Sequence, residues 1–322
     1  MSDRPAQTDR SSAQQEPAGQ SCAGEPTAAP VLCVIVSYNS RRCLPTCLTS
    51  LLGQRPPPLR VMVVDNASSD GSADMVEKQF PQAKLVRNRR NVGYGAAANQ
   101  GIDAAMAAGI PYVFVLNPDV VLDRGALRAV VRALDESPEA AVAGPDLSGA
   151  PAEADCDAAP GEEPAPEPSR SVPWLSGCAL LLRAAALKRV GAFWPGYFLY
   201  AEETDLHYRL RAAGWSLLKV PTAHAHHLGA ASSRRLLGGA VVCYYQIRNA
   251  FVLAKRVCLI SGGRTSVGII RWQLGHYVTV RRLLHPTRLA AIVLGLVVGV
   301  YLFVKVKPVE VRRVRSDAAE GA

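Results

Sequence analysis

The stretch VLCVIVSYNS, Val31–Ser40, decides the fold. VLCVIV is a short, β-branched run with no polar alternation, the pattern of a strand covered on both faces, and the polar SYNS that follows is a turn. Outward from it, a helical pattern runs from about Arg42 to Leu52 and stops at RPPP, because proline lacks a backbone donor and clashes with the preceding turn. LRVMVVD, Leu59–Asp65, then gives a second buried strand. KLVR (84–87), a small-residue helix around Ala96–Ala108 and YVFVL (112–116) continue the alternation. Repeated β-α units imply an α/β fold with a mostly parallel central sheet flanked by helices. In such sheets ligands collect beyond the carboxyl ends of strands, so the tails SYN, VVDN and LNPD are expected to face one crevice.

The 322 residues are 49% hydrophobic and 20% charged, a globular balance and not that of a disordered chain. Net charge is +9, and no Asp or Glu occurs between Asp205 and Glu310, so the last third is cationic. That surface suits a diphosphate-bearing acceptor or anionic lipid headgroups; no base-reading element accompanies the charge, so no nucleic-acid partner is expected. Eight cysteines without a CxxC pair read as reduced and structural.

The chain divides into a disordered tail (1–30), a main domain (31–233) interrupted by a flexible Pro-, Ala- and acid-rich insertion (148–171), a basic, apolar helical region (234–309) and a tail (310–322). The first 30 residues lack the apolar core of a secretory signal, which points to a cytoplasmic location. Leu289–Val304 is uncharged, but at about 1.5 Å per residue it falls short of the roughly 30 Å hydrocarbon layer. An interfacial or protein-packed helix is therefore expected over a spanning one, with the protein peripheral at the inner face of the cell membrane. The Gly295/Gly299 spacing within it reads as chance or as a dimer face.

Several segments carry candidate chemistry. In LNPD, Asp119 follows a buried strand on a proline-fixed turn, which suits Mg2+ or Mn2+: such cations need only one or two protein carboxylates when substrate phosphates complete the shell. Alone, LNPD reads first as a plain Asn-Pro-Asp turn. In VVDNASSDGS (63–72), Asp65 can accept a hydrogen bond from a base or ribose, whereas Asp70 suits a helix cap. NVGYGAAANQG (91–101) lets backbone approach a ligand at Gly93 and Gly95 before a helix N-terminus that attracts phosphate; it is not the GxGxxG of a nicotinamide site. EETDLHYRLRAAGW (202–215) sets Glu202 and Asp205 at i, i+3 with Glu203 beside them, so it offers a general base or simply an acidic helix start. HAHHLGAASS (224–233) places His224, His226 and His227 after an apolar strand; zinc fits poorly, and one imidazole reads as a ligand or phosphate donor.

In this order VIVSYNS, VVDNASSDGS, NVGYGAAANQG, LNPDV, WLSGCALLLR, GYFLYAEETDL, HHLGAASS and YYQIRN resemble the family-2 glycosyltransferases, in particular their rhamnosyltransferase-like branch, over roughly residues 31–255. The resemblance implies a GT-A nucleotide-diphospho-sugar transferase fold with a C-terminal helical extension. It implies inverting transfer of a sugar, dTDP-rhamnose being the favoured donor, to a hydroxyl of a glycan or polyprenyl-diphosphate-linked acceptor in cell-surface polysaccharide synthesis.

By the same resemblance Tyr38, Asn39, Asp65 and Asn66 line the base and ribose pocket, with Gly93 in the glycine loop. Asp119 holds the metal, Asn117 standing where the family's DxD often has its first acid, and His226 assists at the metal or diphosphate. Glu203 takes the base position of the family's EDxD or EDxE, with Asp205 as competitor. Trp174, Ser176 and Gly177 shape the donor-sugar and acceptor pocket, and Arg248 meets the acceptor or membrane side. A nucleotide-sugar pyrophosphorylase would need a Gly- and Lys-rich loop after the first strand, which VLCVIV lacks. A non-catalytic nucleotide-sugar or glycan binder is the alternative that remains.

Overall fold

The computed structural model describes residues 30–54, 59–148, 168–229, 237–279 and 285–311. The tail 1–29, most of the insertion expected at 148–171 and the tail from 312 lie outside the described residues.

Strands β1 (Val31–Ser37), β2 (Leu59–Asp65), β3 (Lys84–Arg87) and β4 (Tyr112–Leu116) lie parallel in the order β3-β2-β1-β4. Every residue of β1 and β4 is buried, as their unbroken apolar runs require. One core forms beneath α1 (Leu44–Leu52), where Leu44, Leu48 and Leu51 meet Cys33 and Ile35. The other forms beneath α3 (Tyr94–Ala107), whose small residues let it approach the sheet; a Cβ at Gly101 would lie 2.3 Å from a methyl of Val34. Helix α2 (Ser72–Gln79) joins β2 to β3.

Beyond β4 the sheet becomes mixed. Residues 120–148 carry no assignment from sequence, and they form β5 (Val120–Leu122), α4 (Ala126–Glu136) and β6 (Ala140–Ser148). The short β7 (Arg170–Ser171) and then β8 (Ala179–Arg183) follow. Strand β8 runs antiparallel between β4 and β6, and β9 (Ser216–His227) pairs parallel with β6 and antiparallel with β5 and β7. Strand β9 continues well past SLLKV, so the histidines lie within it and not after it. Helices α5 (Ala184–Val190) and α6 (Glu202–Ala212) are joined by a loop with one 3-10 turn, Pro195–Tyr197.

Among the described residues the C-terminal region forms three helices: α7 (Gly239–Ser261), α8 (Gly263–Tyr277) and α9 (Pro286–Lys305). Helix α9 begins three residues before the uncharged run, and its 20 residues span about 30 Å, so length no longer argues against crossing a membrane. Its glycines are not a dimer face: a Cβ at Gly295 would meet the Tyr244 carbonyl at 3.0 Å, and one at Gly299 would meet Phe251 at 2.8 Å and the Arg248 Cα at 3.3 Å. They form the seam on which α9 packs against α7.

Candidate active site

The carboxyl ends of β1, β2 and β4 open onto a cavity of about 290 Å3, walled by Tyr38, Asn66, Gly93, Asn117, Asp119 and His227 and closed by Phe198–Tyr200 of the α5–α6 loop. The loops after β1 and β2 are laced together. Asn39, at φ +49°, accepts from the Ser69 N–H through its side-chain oxygen at 2.8 Å and donates its own N–H to Ser68 Oγ at 2.9 Å. Asp70 accepts from the N–H groups of Arg41 and Ser72, each at 2.9 Å, and so fastens this corner outside the cavity.

Asp65 is buried at the end of β2; its Oδ2 accepts from the Ser68 N–H at 3.0 Å, while its Oδ1 has no hydrogen-bond partner among the described residues. A buried carboxylate oxygen left open at a strand end is the kind of acceptor a ribose or base donor satisfies. Asn66 behaves differently. Its amide donates to Asn91 Oδ1 at 2.9 Å and the Gly93 carbonyl at 3.3 Å, and it accepts from Asn88 at 3.1 Å and the Val92 N–H at 3.0 Å. An amide offers two donors and two lone pairs, so Asn66 is saturated and ties the glycine loop to β2.

Gly93 is required by a protein contact: at φ +87° its missing Cβ would lie 2.6 Å from the Phe198 carbonyl, which accepts the Tyr94 N–H at 2.8 Å.

Asp119, 2% exposed, stands at the cavity wall just past β4. The imidazole that meets it is His227, Nε2 to Oδ1 3.3 Å, and not His226, which pairs with Asp123 at 3.0 Å. The cause is the strand: successive side chains of β9 point to opposite faces, so only one of the two adjacent histidines can reach the cavity.

The three acids of α6 part company in the same way. Asp205 is fully enclosed and accepts from Arg209 Nε at 2.7 Å, Arg256 Nε at 2.7 Å and the Tyr197 hydroxyl at 3.2 Å; bound on all sides, it is a structural anchor and not a base. Glu202 is buried with Oε2 unpartnered among the described residues, and burial, aided by the neighbouring Glu203 charge, pushes it up from 4.5 to about 8. Glu203 is half-buried, and burial raises it too.

Gly177 lies against Glu203, since a Cβ there would sit 3.1 Å from Glu203 Cγ, and its carbonyl accepts from the Tyr94 hydroxyl at 3.1 Å. Tyr94 lines the cavity; its hydroxyl is raised well above the usual phenol range by burial and then by the charges of Glu202, Glu203 and Asp119, among other groups. Of those carboxylates Asp119 lines the cavity, whereas Glu202 and Glu203 are not among its lining residues and reach it through their neighbour Tyr94. Ser176 donates to Cys178 Sγ at 3.3 Å, and Trp174 is 66% exposed, off the cavity wall. Sequence reasoning held His227 as one of three candidate imidazoles before the resemblance favoured His226, and it gave no role to Tyr94 or the Phe198–Tyr200 wall, although GYFLY carried the signal.

A mixed sheet flanked by helices, with buried acids and a glycine loop at its strand ends, is an α/β architecture of the GT-A type. Solved structures agree on the fold. Residues 1–349 of S. aureus TarS in complex with UDP superpose with a TM-score of 0.54 at 18% identity, covering 78% of this chain and 72% of that one. A Pyrobaculum calidifontis mannosyltransferase, PcManGT, in complex with GDP-Man and Mn2+ gives 0.55 at 16%, covering 85% and 78%.

Residues 32–150 match the family model described as glycosyl transferase family 2. An N-acetylglucosaminyl-diphospho-decaprenol L-rhamnosyltransferase of Mycobacterium tuberculosis is 32% identical over 240 residues, 63% of this chain and 77% of the relative. Rhamnosyltransferase WbbL of Escherichia coli is 34% identical over 86 residues, 27% of this chain and 33% of its own. The chain belongs to glycosyl transferase family 2 and is a glycosyltransferase.

Proposed function

We propose that this enzyme transfers L-rhamnose from dTDP-rhamnose, with inversion, to a hydroxyl of a polyprenyl-diphosphate-linked sugar in cell-surface polysaccharide synthesis. What supports the donor and acceptor classes is the M. tuberculosis relative, whose name specifies an L-rhamnosyl transfer and a lipid diphosphate. The single observation that carries the chemistry is Asp119 on the cavity wall together with Tyr94, whose hydroxyl donates to the carbonyl of Gly177, the residue against which Glu203 lies.

On this reading Tyr38 and the open Oδ1 of Asp65 receive the base and ribose, and Glu203 accepts the acceptor hydroxyl's proton as oxygen attacks the anomeric carbon. Burial raises Glu203 and so makes it a stronger base than an exposed carboxylate. Gly177 leaves the room that side chain needs. Phe198–Tyr200 shield the reacting carbon from water.

Asp119 with His227 would hold Mg2+ or Mn2+. The donor set fits: Asp119 at the cavity wall, with His227 Nε2 3.3 Å from its Oδ1, supplies one carboxylate and one imidazole, and waters and phosphate oxygens would complete the shell. When bound, the cation offsets charge on the departing diphosphate.

The acceptor's lipid calls for a membrane-facing surface. The outer face of α9, with Val293, Val297 and Val304 51–73% exposed, and the cationic last third support peripheral binding to an anionic membrane from the cytoplasmic side. The deciding experiment incubates the protein with a panel of nucleotide sugars and Mg2+ or Mn2+ and scores nucleoside diphosphate release. Selective release from dTDP-rhamnose is expected; donor binding without release from any sugar would leave a binding protein in its place.

A further inference from the structure

The loop from Gly191 to Ala201 supplies the cavity wall Phe198–Tyr200 and delivers Glu202 and Glu203 to the start of α6. Its backbone is unfavourable: Phe198, Tyr200 and Ala201 sit at φ +67°, +67° and +74°, a region that side chains with a Cβ avoid. Such a path persists only where its surroundings over-determine it.

One turn of α7 does that. The buried Asn249 amide donates to the carbonyls of Leu199 at 2.7 Å, Tyr200 at 2.9 Å and Tyr197 at 3.3 Å. Arg248 donates to the carbonyls of Gly196 at 2.9 Å and Tyr197 at 3.2 Å, and to Asn249 Oδ1 at 2.6 Å. From the other side the Tyr94 N–H takes the Phe198 carbonyl. Every carbonyl from Gly196 to Tyr200 thus has a named donor. Arg248 is turned inward and does not reach toward an acceptor or a membrane.

We propose that Arg248 and Asn249 are positioning residues for sugar transfer, holding the 196–200 backbone and, through it, the wall of the cavity and the carboxylates at the start of α6. This rests on reading the cavity as the donor-sugar site. Neither side chain touches a reacting atom; both act through the loop. They are separable from the docking of α7 itself, which is also secured by Arg256 on Asp205 and by the apolar cluster of Tyr197, Val252, Leu253 and Val257.

The test uses full-length N249A, R248A and R248K, measuring kcat and donor KM, nucleoside diphosphate binding by calorimetry and thermal unfolding. N249A and R248A are expected to lose about 100-fold in kcat, the effect of a loop displaced by about 1 Å. Diphosphate binding should stay within about threefold, because Tyr38 and Asn117 wall the cavity from the strand ends and not from this loop, and R248K should recover about tenfold by keeping a charged donor.

Turnover near wild type in folded N249A overturns the proposal. So does turnover lost only in step with global unfolding or with diphosphate binding, and so does R248K no better than R248A. If N249A does not fold, the Arg248 pair decides. Wild-type protein that releases diphosphate from no donor sinks the underlying reading as well, whereas active wild type with unaffected variants sinks the positioning role alone.

Discussion

Asp205→Asn separates an anchor from a base. The carboxylate is 0% exposed and faces two guanidinium groups, Arg209 and Arg256, whose side chains are 3% and 10% exposed. Arg209 also donates to the carbonyls of Val190, Gly191 and Ala192, so the triad joins α6, α7 and the start of the active-site loop. Asparagine keeps the shape but removes the charge, leaving two buried cations without counter-charge. Removing one member of a buried ionic set costs about 3–5 kcal/mol; the amide oxygen still accepts one bond, which favours the lower end, near 3 kcal/mol.

For a domain of this size each kcal/mol moves the thermal midpoint by about 2–4 °C, so a fall of about 6–12 °C is expected. The assay pairs circular-dichroism melting and urea titration with transfer rates at a temperature where the variant is folded. Rates per folded molecule should remain within a few-fold. An unchanged midpoint with abolished transfer would refute the argument and return the base role to Asp205.

Glu203→Gln is expected to abolish transfer while nucleoside diphosphate binding persists, since only the proton acceptor is lost; residual turnover near wild type would exclude Glu203. Glu202 is raised by burial from 4.5 to about 8, so its contribution to stability is fully present below pH 4.5 and is lost as pH rises through about 8; urea midpoints at pH 5 and 8.5 should show that loss, and Glu202→Gln should flatten it. Gly177→Ala places a Cβ 3.1 Å from Glu203 Cγ and 3.3 Å from its Cβ and Cδ, which should lower kcat about tenfold with donor KM little changed. Asp119→Asn should remove the Mn2+ dependence of nucleotide-sugar binding, read by calorimetry with and without the cation.

The parallel half of the fold was legible because β1, β4 and β2 from Val61 onward are buried on both faces and so are written as nearly continuous apolar runs. Residues 120–148 were not: β5 has three residues and β6 pairs with two strands far off in sequence, so neither has a local pattern. Within the site, the sequence names residue types but not the partners they meet. Adjacent histidines on one strand look alike in sequence, yet alternation sends His226 to Asp123 and His227 to Asp119.

The acids of α6 show the same limit. At i, i+1 and i+3 they differ only in azimuth, and it is Arg256, 51 residues downstream, that claims Asp205. Gly93 likewise answers to Phe198 across the fold.

The outer face of α9 is the surface on which the proposed membrane reading can fail. The helix is apolar all round, and a helix of that kind is covered by protein or lipid. Among the described residues protein covers one side only: Ile292, Gly295 and Gly299 face α7, while Leu289, Val293, Leu294, Val297, Val300, Tyr301 and Val304 are 41–73% exposed. Were α9 to span a bilayer while seated on α7, it would carry α7 with it. Yet Arg248, Asn249 and Arg256 of α7 are bonded to the active-site loop and to Asp205, which must remain in water with the nucleotide sugar.

Lying flat, α9 would bury its outer stripe at the acyl boundary with Lys305 near the phosphates. Val297→Glu with Val300→Glu puts two charges on that stripe without touching the seam. Wild type should sediment with phosphatidylglycerol vesicles and progressively less as salt rises, and the double variant should stay in the supernatant while keeping its turnover on a short, soluble acceptor. Sedimentation unaffected by the two glutamates would show that α9 is not the docking face.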